Sequence, residues 1–251
     1  MKPILLFYPE QLKPSPMSRV GRICDEYGIP YHNDPSKPYD LHFFWSYTPR
    51  NIVPDEFTLT DKNVINRGCW DIGKQKVNDI FNDFSINPET HQGYCVEKCD
   101  RQGRHDLHKL INCPAPRKEG YVYQRFIIDQ IGQLYIKYRI YYADGIEWIL
   151  KQSKHSLFGS PDYNTDYVTH EWVGKEQIFN SDKEKELNEK CKLFGFHYGD
   201  IDFLMEDDKP IIIDINNVVS HISFTAGIKK IQDEQFLDFI QRRYGQTSKI
   251  L

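Results

Sequence analysis

Nothing in this chain of 251 residues approaches the uninterrupted apolar length of a membrane-spanning helix, which needs about 20 residues. The short apolar run in MKPILLFYPEQ reads as a strand, not as a secretory leader. An excess of positive charge is also missing. Lys and Arg number 32 against 36 Asp and Glu, a net charge of −4, whereas a sequence-independent nucleic-acid binder needs a basic footprint. The six cysteines, Cys24, Cys69, Cys95, Cys99, Cys113 and Cys191, lack the spacing of a disulfide scaffold. Cys95 and Cys99 share one face of an expected strand, but no second pair stands at zinc-finger spacing, so buried free thiols in a reducing cytoplasm are expected. No Gly-x-Gly-x-x-Gly turn follows the first strand, and neither repeats nor low-complexity tracts occur. What remains is a cytoplasmic chain with no membrane and no nucleic acid as partner. Its length suits one large domain or two to three small units around a shared cleft.

The most informative stretch is GDIDFLMEDDKPIIIDIN, Gly199 to Asn216. Two apolar alternating runs, 200–205 and 210–216, flank the polar Glu206-Asp207-Asp208-Lys209, which is a hairpin signal. Strand alternation puts Asp200, Asp202 and Leu204 on one face, and Ile212, Asp214 and Asn216 on one face of the second strand, with Ile211, Ile213 and Ile215 opposed. A turn centred near Asp208 sets Asp202 opposite Asp214 and Asp200 opposite Asn216. Like charges across a ladder repel, so a cation is expected between them. Two carboxylates and an amide oxygen form a hard donor set suited to Mg²⁺. The alternative is a surface hairpin with solvated acids.

Upstream, a strand (3–8), a helix (17–27, stopped by Gly28), a short extended piece and a strand (41–47) form a small α/β unit. A helix over 73–84 carries Lys74 and Lys76 near its start, with Val77, Ile80, Phe81 and Phe84 at helical spacing. Lys98 lies in a strand that ends in the polar loop Cys99 to His105. His105 and His108 read as loop and helix-surface residues, without a third ligand nearby. Tyr121 to Ile128 reads as a strand. Leu134 to Tyr142 alternates, placing Tyr135, Lys137, Arg139 and Tyr141 on one face, and two cations inside a strand require anionic partners. Salt bridges to strand neighbours account for Lys137 more readily than for Arg139. A hairpin at Asp144-Gly145 leads to a long polar stretch, 152–169, read as a substrate lid with Lys154 and His155 as candidates or as a surface excursion. A capping box at Ser181 to Glu184 opens a helix, and the last helix spans about 233–244.

The ordered series Lys98, strand 121–128, Arg139, Asp202 and Asp214-x-Asn216 resembles the ATP-grasp superfamily from about residue 63 onward. Asp214 stands where the family usually has Glu. The resemblance implies an α/β, ATP-grasp fold, with two mixed α/β lobes enclosing ATP and a small N-terminal α/β unit beside them. The expected segments are 1–62 for that unit, 63–128 for the first lobe and 129–251 for the second. It implies ATP and Mg²⁺ as cofactors, the metal on Asp202, Asp214 and Asn216. Phosphate contacts fall to Lys98, to Lys74 or Lys76, to Gly103 and Arg104 of the flexible loop, and to Lys137. The backbone near Gln124, Arg125 and Phe126 would read adenine, and Arg139 with Lys98 would act in catalysis. The implied reaction joins a small-molecule or peptide carboxylate to an amine or thiol through an acyl phosphate, releasing ADP and phosphate. The alternatives are a kinase of the same fold and an ATP-binding module without turnover.

Overall fold

The structure, a computed structural model, describes residues 2–9, 19–45, 63–81, 84–100, 108–155, 167–217 and 226–247. Near the N-terminus, β1 (Leu5–Pro9) is followed by α1 (Arg19–Tyr27), whose Val20, Ile23 and Cys24 are buried. Gly28 ends that helix at φ 60°, a left-handed position that costs glycine no Cβ clash. β2 (Tyr31–His32), β3 (Leu41–Trp45) and β4 (Val64–Ile65) then complete a parallel sheet in the order β2-β1-β3-β4. β4 lies beyond residue 62, so the first sheet takes its last strand from the segment expected to open the first lobe.

α2 (Lys74–Phe81) is followed by β5 (Gly93–Cys99), β6 (Lys109–Cys113) and β7 (Tyr121–Arg125), an antiparallel sheet in the order β6-β5-β7. β8 (Gln130–Ile131), β9 (Leu134–Ala143), β10 (Ile146–Lys154) and β11 (Tyr167–Val173) belong to the largest sheet. After α3 (Ser181–Phe194) come β12 (Tyr198–Glu206) and β13 (Lys209–Asn216), giving the order β11-β10-β9-β12-β13 with β8 on β9. α4 (Ala226–Thr247) closes the chain and is longer than the expected 233–244. Several expectations are corrected here. Strand β10 runs on to Lys154 and β11 begins at Tyr167, so both ends of the expected 152–169 loop are sheet. The strand expected over 121–128 ends at Arg125, the last residue paired in its ladder. Asn180, not Ser181, caps α3, its side chain accepting from the Lys183 amide.

Alternation along β9 divides the large sheet. Ile136, Tyr138, Ile140 and Tyr142 join Ile201, Phe203 and Ile215 in a core against Val77 and Phe81 of α2 and Leu187, Cys191 and Phe194 of α3. Tyr138 stacks on Phe203 at 4.9 Å between ring centroids. The opposite face carries the charges. A second core, with Phe7, Phe43, Trp45, Tyr198, Phe236 and Phe239, binds the parallel sheet to α4. No helix among the described residues is long and apolar enough to cross a membrane.

Candidate active site

The β12–β13 hairpin turns through two residues, Asp207 and Asp208, with φ of 47° and 61°, and Glu206 pairs Lys209. Turns with positive φ at both central residues match the twist of the flanking strands, and Asp tolerates that region. Continued without interruption, this register would set Asp202 opposite Ile213. A bulge prevents it. Phe203 pairs Ile212 and Asp202 pairs Asp214, so Ile213 is the extra residue, and Asp200 pairs Asn216. The pairing of the acids follows from a bulge and not from a wider turn centred on Asp208. The bulge also corrects the expected faces. Ile212 joins Phe203 and Ile215 in the main core, while Ile213 turns toward the acids with Leu204.

β9 delivers the counter-charges, because Arg139 stands in register with Asp202. Arg139 Nε and Nη2 donate to the two Asp202 oxygens at 2.8 and 3.3 Å, a bidentate pair. Lys137 Nζ reaches Asp202 Oδ2 at 2.6 Å, and Arg139 Nη1 lies 3.8 Å from Asp200. Strand neighbours therefore account for Arg139 as fully as for Lys137. Burial alone would raise the Asp202 pKa, but Arg139 and Lys137 outweigh it and hold the carboxyl well below the usual carboxylate range. Asp200 goes the other way, raised by burial that its arginines only partly offset.

From the three-stranded sheet, Lys98 enters the same space. Burial pushes its pKa down to about 8; Asp214 opposes the shift, while Lys74 and Lys137 add to it. Lys74 is itself buried at the start of α2. Lys76 is turned elsewhere: its Nζ donates to the Gly68 carbonyl at 2.7 Å and lies 4.3 Å from the Phe194 ring centroid. Gln124 is buried and donates to Asn78 at 2.8 Å, and Arg125 forms a fork with Glu206 at 2.6 and 2.7 Å. The Arg125 amide donates to the Phe84 carbonyl at 2.7 Å, so the chain first leaves its ladder at Phe126. Gly103, Arg104 and His105 lie outside the described residues.

A cavity opens between the two sheets. Phe84, Val96, Phe126, Ile127, Leu204 and Ile213 form its apolar walls, and Lys98, Lys137, Lys154, Asp202 and Asp214 its charged end. No family model and no curated protein matches the chain. Solved structures do. D-alanine–D-alanine ligase from Bacillus anthracis superposes with a TM-score of 0.57 at 13% identity, over 99% of each chain. The ATP-grasp ligase PsnB complexed with minimal precursor gives 0.58 at 12% identity, over 96% of this chain and 98% of that one. PsnB with minimal precursor, Mg and ADP gives 0.55 at 11% identity, over 96% of both. The chain has the ATP-grasp fold.

Within this ATP-grasp fold, the donor chemistry fits a magnesium nucleotide. Asp202 and Asp214 are directly paired carboxylates, a hard donor type, with Asn216 two residues along the same strand as Asp214, and the cavity offers apolar walls beside ammonium groups. Asp214 and Asn216 are half-buried, as a site open to a ligand requires. Among the described residues no group of three His, Cys, Asp or Glu gathers at metal-binding spacing, and all six cysteines are buried and free. The sequence reading did not foresee His108 in this cavity. It stands just before β6 on the wall and not on a helix surface. Lys154 lies in the cavity by strand register, opposite Tyr135, and not on a lid; His155 is exposed. Asp129, whose carboxylate accepts from the Met205 amide at 3.0 Å, also went unremarked. So did Arg19.

Proposed function

We propose that this protein is an ATP-dependent ligase that joins a small-molecule or peptide carboxylate to an amine or thiol nucleophile. One observation carries the reading. A directly paired Asp202 and Asp214 share the lining of a cavity between two sheets with Lys98 and Lys137, and Arg139 is bonded to Asp202 from the next strand. A buried concentration of cations requires polyanionic company, and the fold is one in which other proteins hold ATP, ADP and Mg. In this reading residues 63–128 are the lobe that supplies Lys98, 129–251 the lobe that supplies Arg139 and the hairpin, and 1–62 the unit beside them.

The roles follow from placement. Phe126 and Ile127, where the chain leaves the β7 ladder, and the apolar walls take the adenine. Lys98, Lys74 and Lys137 neutralise phosphate oxygens as compact point charges. Asp202, Asp214 and Asn216 would hold Mg²⁺, which supplies further neutralisation of the triphosphate. Arg139, locked by its bidentate bond to Asp202, points a rigid cation at the transferred group. Phosphoryl transfer asks for positioning and charge stabilisation more than covalent help. The substrate carboxylate takes the γ-phosphoryl group to become an acyl phosphate, and the nucleophile then displaces phosphate. Of the expected covers, Cys99 to His105 and 152–169, residues 101–105 and 156–166 lie outside the described residues.

The test is trapping. With ATP, Mg²⁺, hydroxylamine and a panel of amino acids and peptides, ADP and phosphate should appear together with a hydroxamate. ADP release with the phosphate retained on a stable hydroxyl ester would instead make the protein a kinase of this fold.

A further inference from the structure

Arg19, the first residue of α1, is wholly buried, and its situation is unusual. Its guanidinium is held over the rings of Tyr141 and Tyr198, 5.0 and 5.6 Å from their centroids. Nη2 donates to the Tyr198 hydroxyl at 3.2 Å and lies 3.5 Å from Asp200 Oδ1. The other two nitrogens, Nε and Nη1, have no hydrogen-bond partner among the described residues. A buried guanidinium with most of its donors unfilled carries a large desolvation cost, and natural structures rarely leave such groups unsatisfied.

Three further features converge on the same place. Asp200 is shared, because Arg139 Nη1 approaches its other oxygen at 3.8 Å. Arg19 and Arg139 thus straddle one carboxylate, although Arg139 is held chiefly by Asp202, so Asp200 is the one carboxylate that meets Arg19 among the described residues. Arg19 also follows β1 at the carboxyl ends of the parallel strands, the end of such sheets where ligands bind. Asn217, the chain neighbour of the Asn216 that pairs with Asp200, is fully buried; its Nδ2 contacts the Phe44 carbonyl at 3.5 Å while its Oδ1 has no partner among the described residues. An anion on Arg19 would fill the unused donors, and an amine or hydroxyl would fill Asn217 Oδ1.

We infer that Arg19 anchors a second carboxylate of the substrate, so that the protein acts on a dicarboxylic amino acid or on a peptide that ends in one. The inference rests on the ligase reading above. Arg139 meets the carboxylate to be activated and Arg19 meets the other. Because both flank Asp200, the two anionic groups must lie only a few bonds apart, as in aspartate, glutamate or a short acidic side chain. The paired tyrosines fix the plane of the Arg19 guanidinium, which gives the subsite geometric selectivity as well as charge.

The experiment is a thermal-shift titration of the full chain with Mg²⁺ and ADP present, using aspartate, glutamate, succinate and glutarate as probes and asparagine, glutamine and butyrate as controls. Diacids should raise Tm in a saturable way while the monoacid and amide controls do not. The shift should vanish in Arg19→Gln and persist, weakened about tenfold in apparent affinity, in Arg19→Lys, which keeps the charge if Arg19→Gln fails to fold. Shifts that survive in Arg19→Gln, equal shifts from diacids and their amides, or no shift from any diacid would overturn the anchor. The shift caused by Mg²⁺ and ADP alone is read in the same plate. Its loss in the wild type sinks the nucleotide reading, whereas its presence without a diacid effect sinks only the role of Arg19.

Discussion

At the scale of single residues, the site turns on Asp202, which neutralises Arg139 and Lys137 at once. Removing one partner of a buried ion pair leaves the others uncompensated and costs about 3 kcal/mol or more. Asp202→Ala should therefore lower stability by that order in urea unfolding, as well as weakening nucleotide binding. The two helix-start lysines should behave differently. Lys74→Met should weaken ADP binding roughly tenfold or more, while Lys76→Met, which loses only its carbonyl bond and ring contacts, should leave affinity unchanged; calorimetric titration checks both. His197 offers a test by pH. Burial, and then Arg243, push its pKa from 6.5 down to about 4, and its Nδ1 accepts from the Asn66 amide at 2.8 Å. Below about pH 6.5 the unfolded chain binds the proton first. Stability present above that pH should be lost as the pH falls toward 4, by at most roughly 3 kcal/mol. His197→Gln should flatten that part of the stability–pH curve, as measured by denaturant unfolding from pH 7 to 4.

At the scale of elements, the β12–β13 hairpin was legible because its alternation is clean, and Asp202 and Asp214 were legible as a pair. The bulge at Ile213 was not, since three successive isoleucines give periodicity nothing to register against. β6 was missed because its residues, Lys109 to Cys113, are mostly exposed and carry no alternating signal. β11 was missed because polar Thr169, His170 and Glu171 interrupt the apolar pattern of an edge strand. Backbone approach was equally invisible. A Cβ on Gly199, at φ 152°, would overlap the Asn216 carbonyl, so β12 and β13 meet there only through glycine. Gly199→Ala should cost about 1–3 kcal/mol and displace Asn216 from Asp200, weakening Mg²⁺-dependent ADP binding more than it lowers Tm. An equal fall in both, or no change in binding, would show that this contact serves the fold alone. Gly68 is as crowded, against the Phe194 carbonyl, but lies outside the cleft.

At the scale of the whole molecule, three sheets divide the work. Helix α1, which follows β1 of the parallel sheet, brings Arg19, the three-stranded sheet brings Lys98 and the large sheet brings Arg139 with the paired acids. Sequence order revealed the last two because each cation sits within a strand. Arg19 escaped notice because its partners lie 179 and 181 residues away in the chain and only folding joins them. A ligand that binds across such a cleft stabilises the folded chain by mass action, about 2.7 kcal/mol at a concentration 100 times Kd. The central claim is that the cleft between the two antiparallel sheets holds a magnesium nucleotide, and isothermal titration of ADP with and without Mg²⁺ tests it most directly. The wild type should bind ADP in a Mg²⁺-dependent way, and Lys98→Met, with an unchanged circular dichroism spectrum, should bind at least tenfold more weakly. Equal affinity in the two proteins, or no binding to the wild type, would contradict the account.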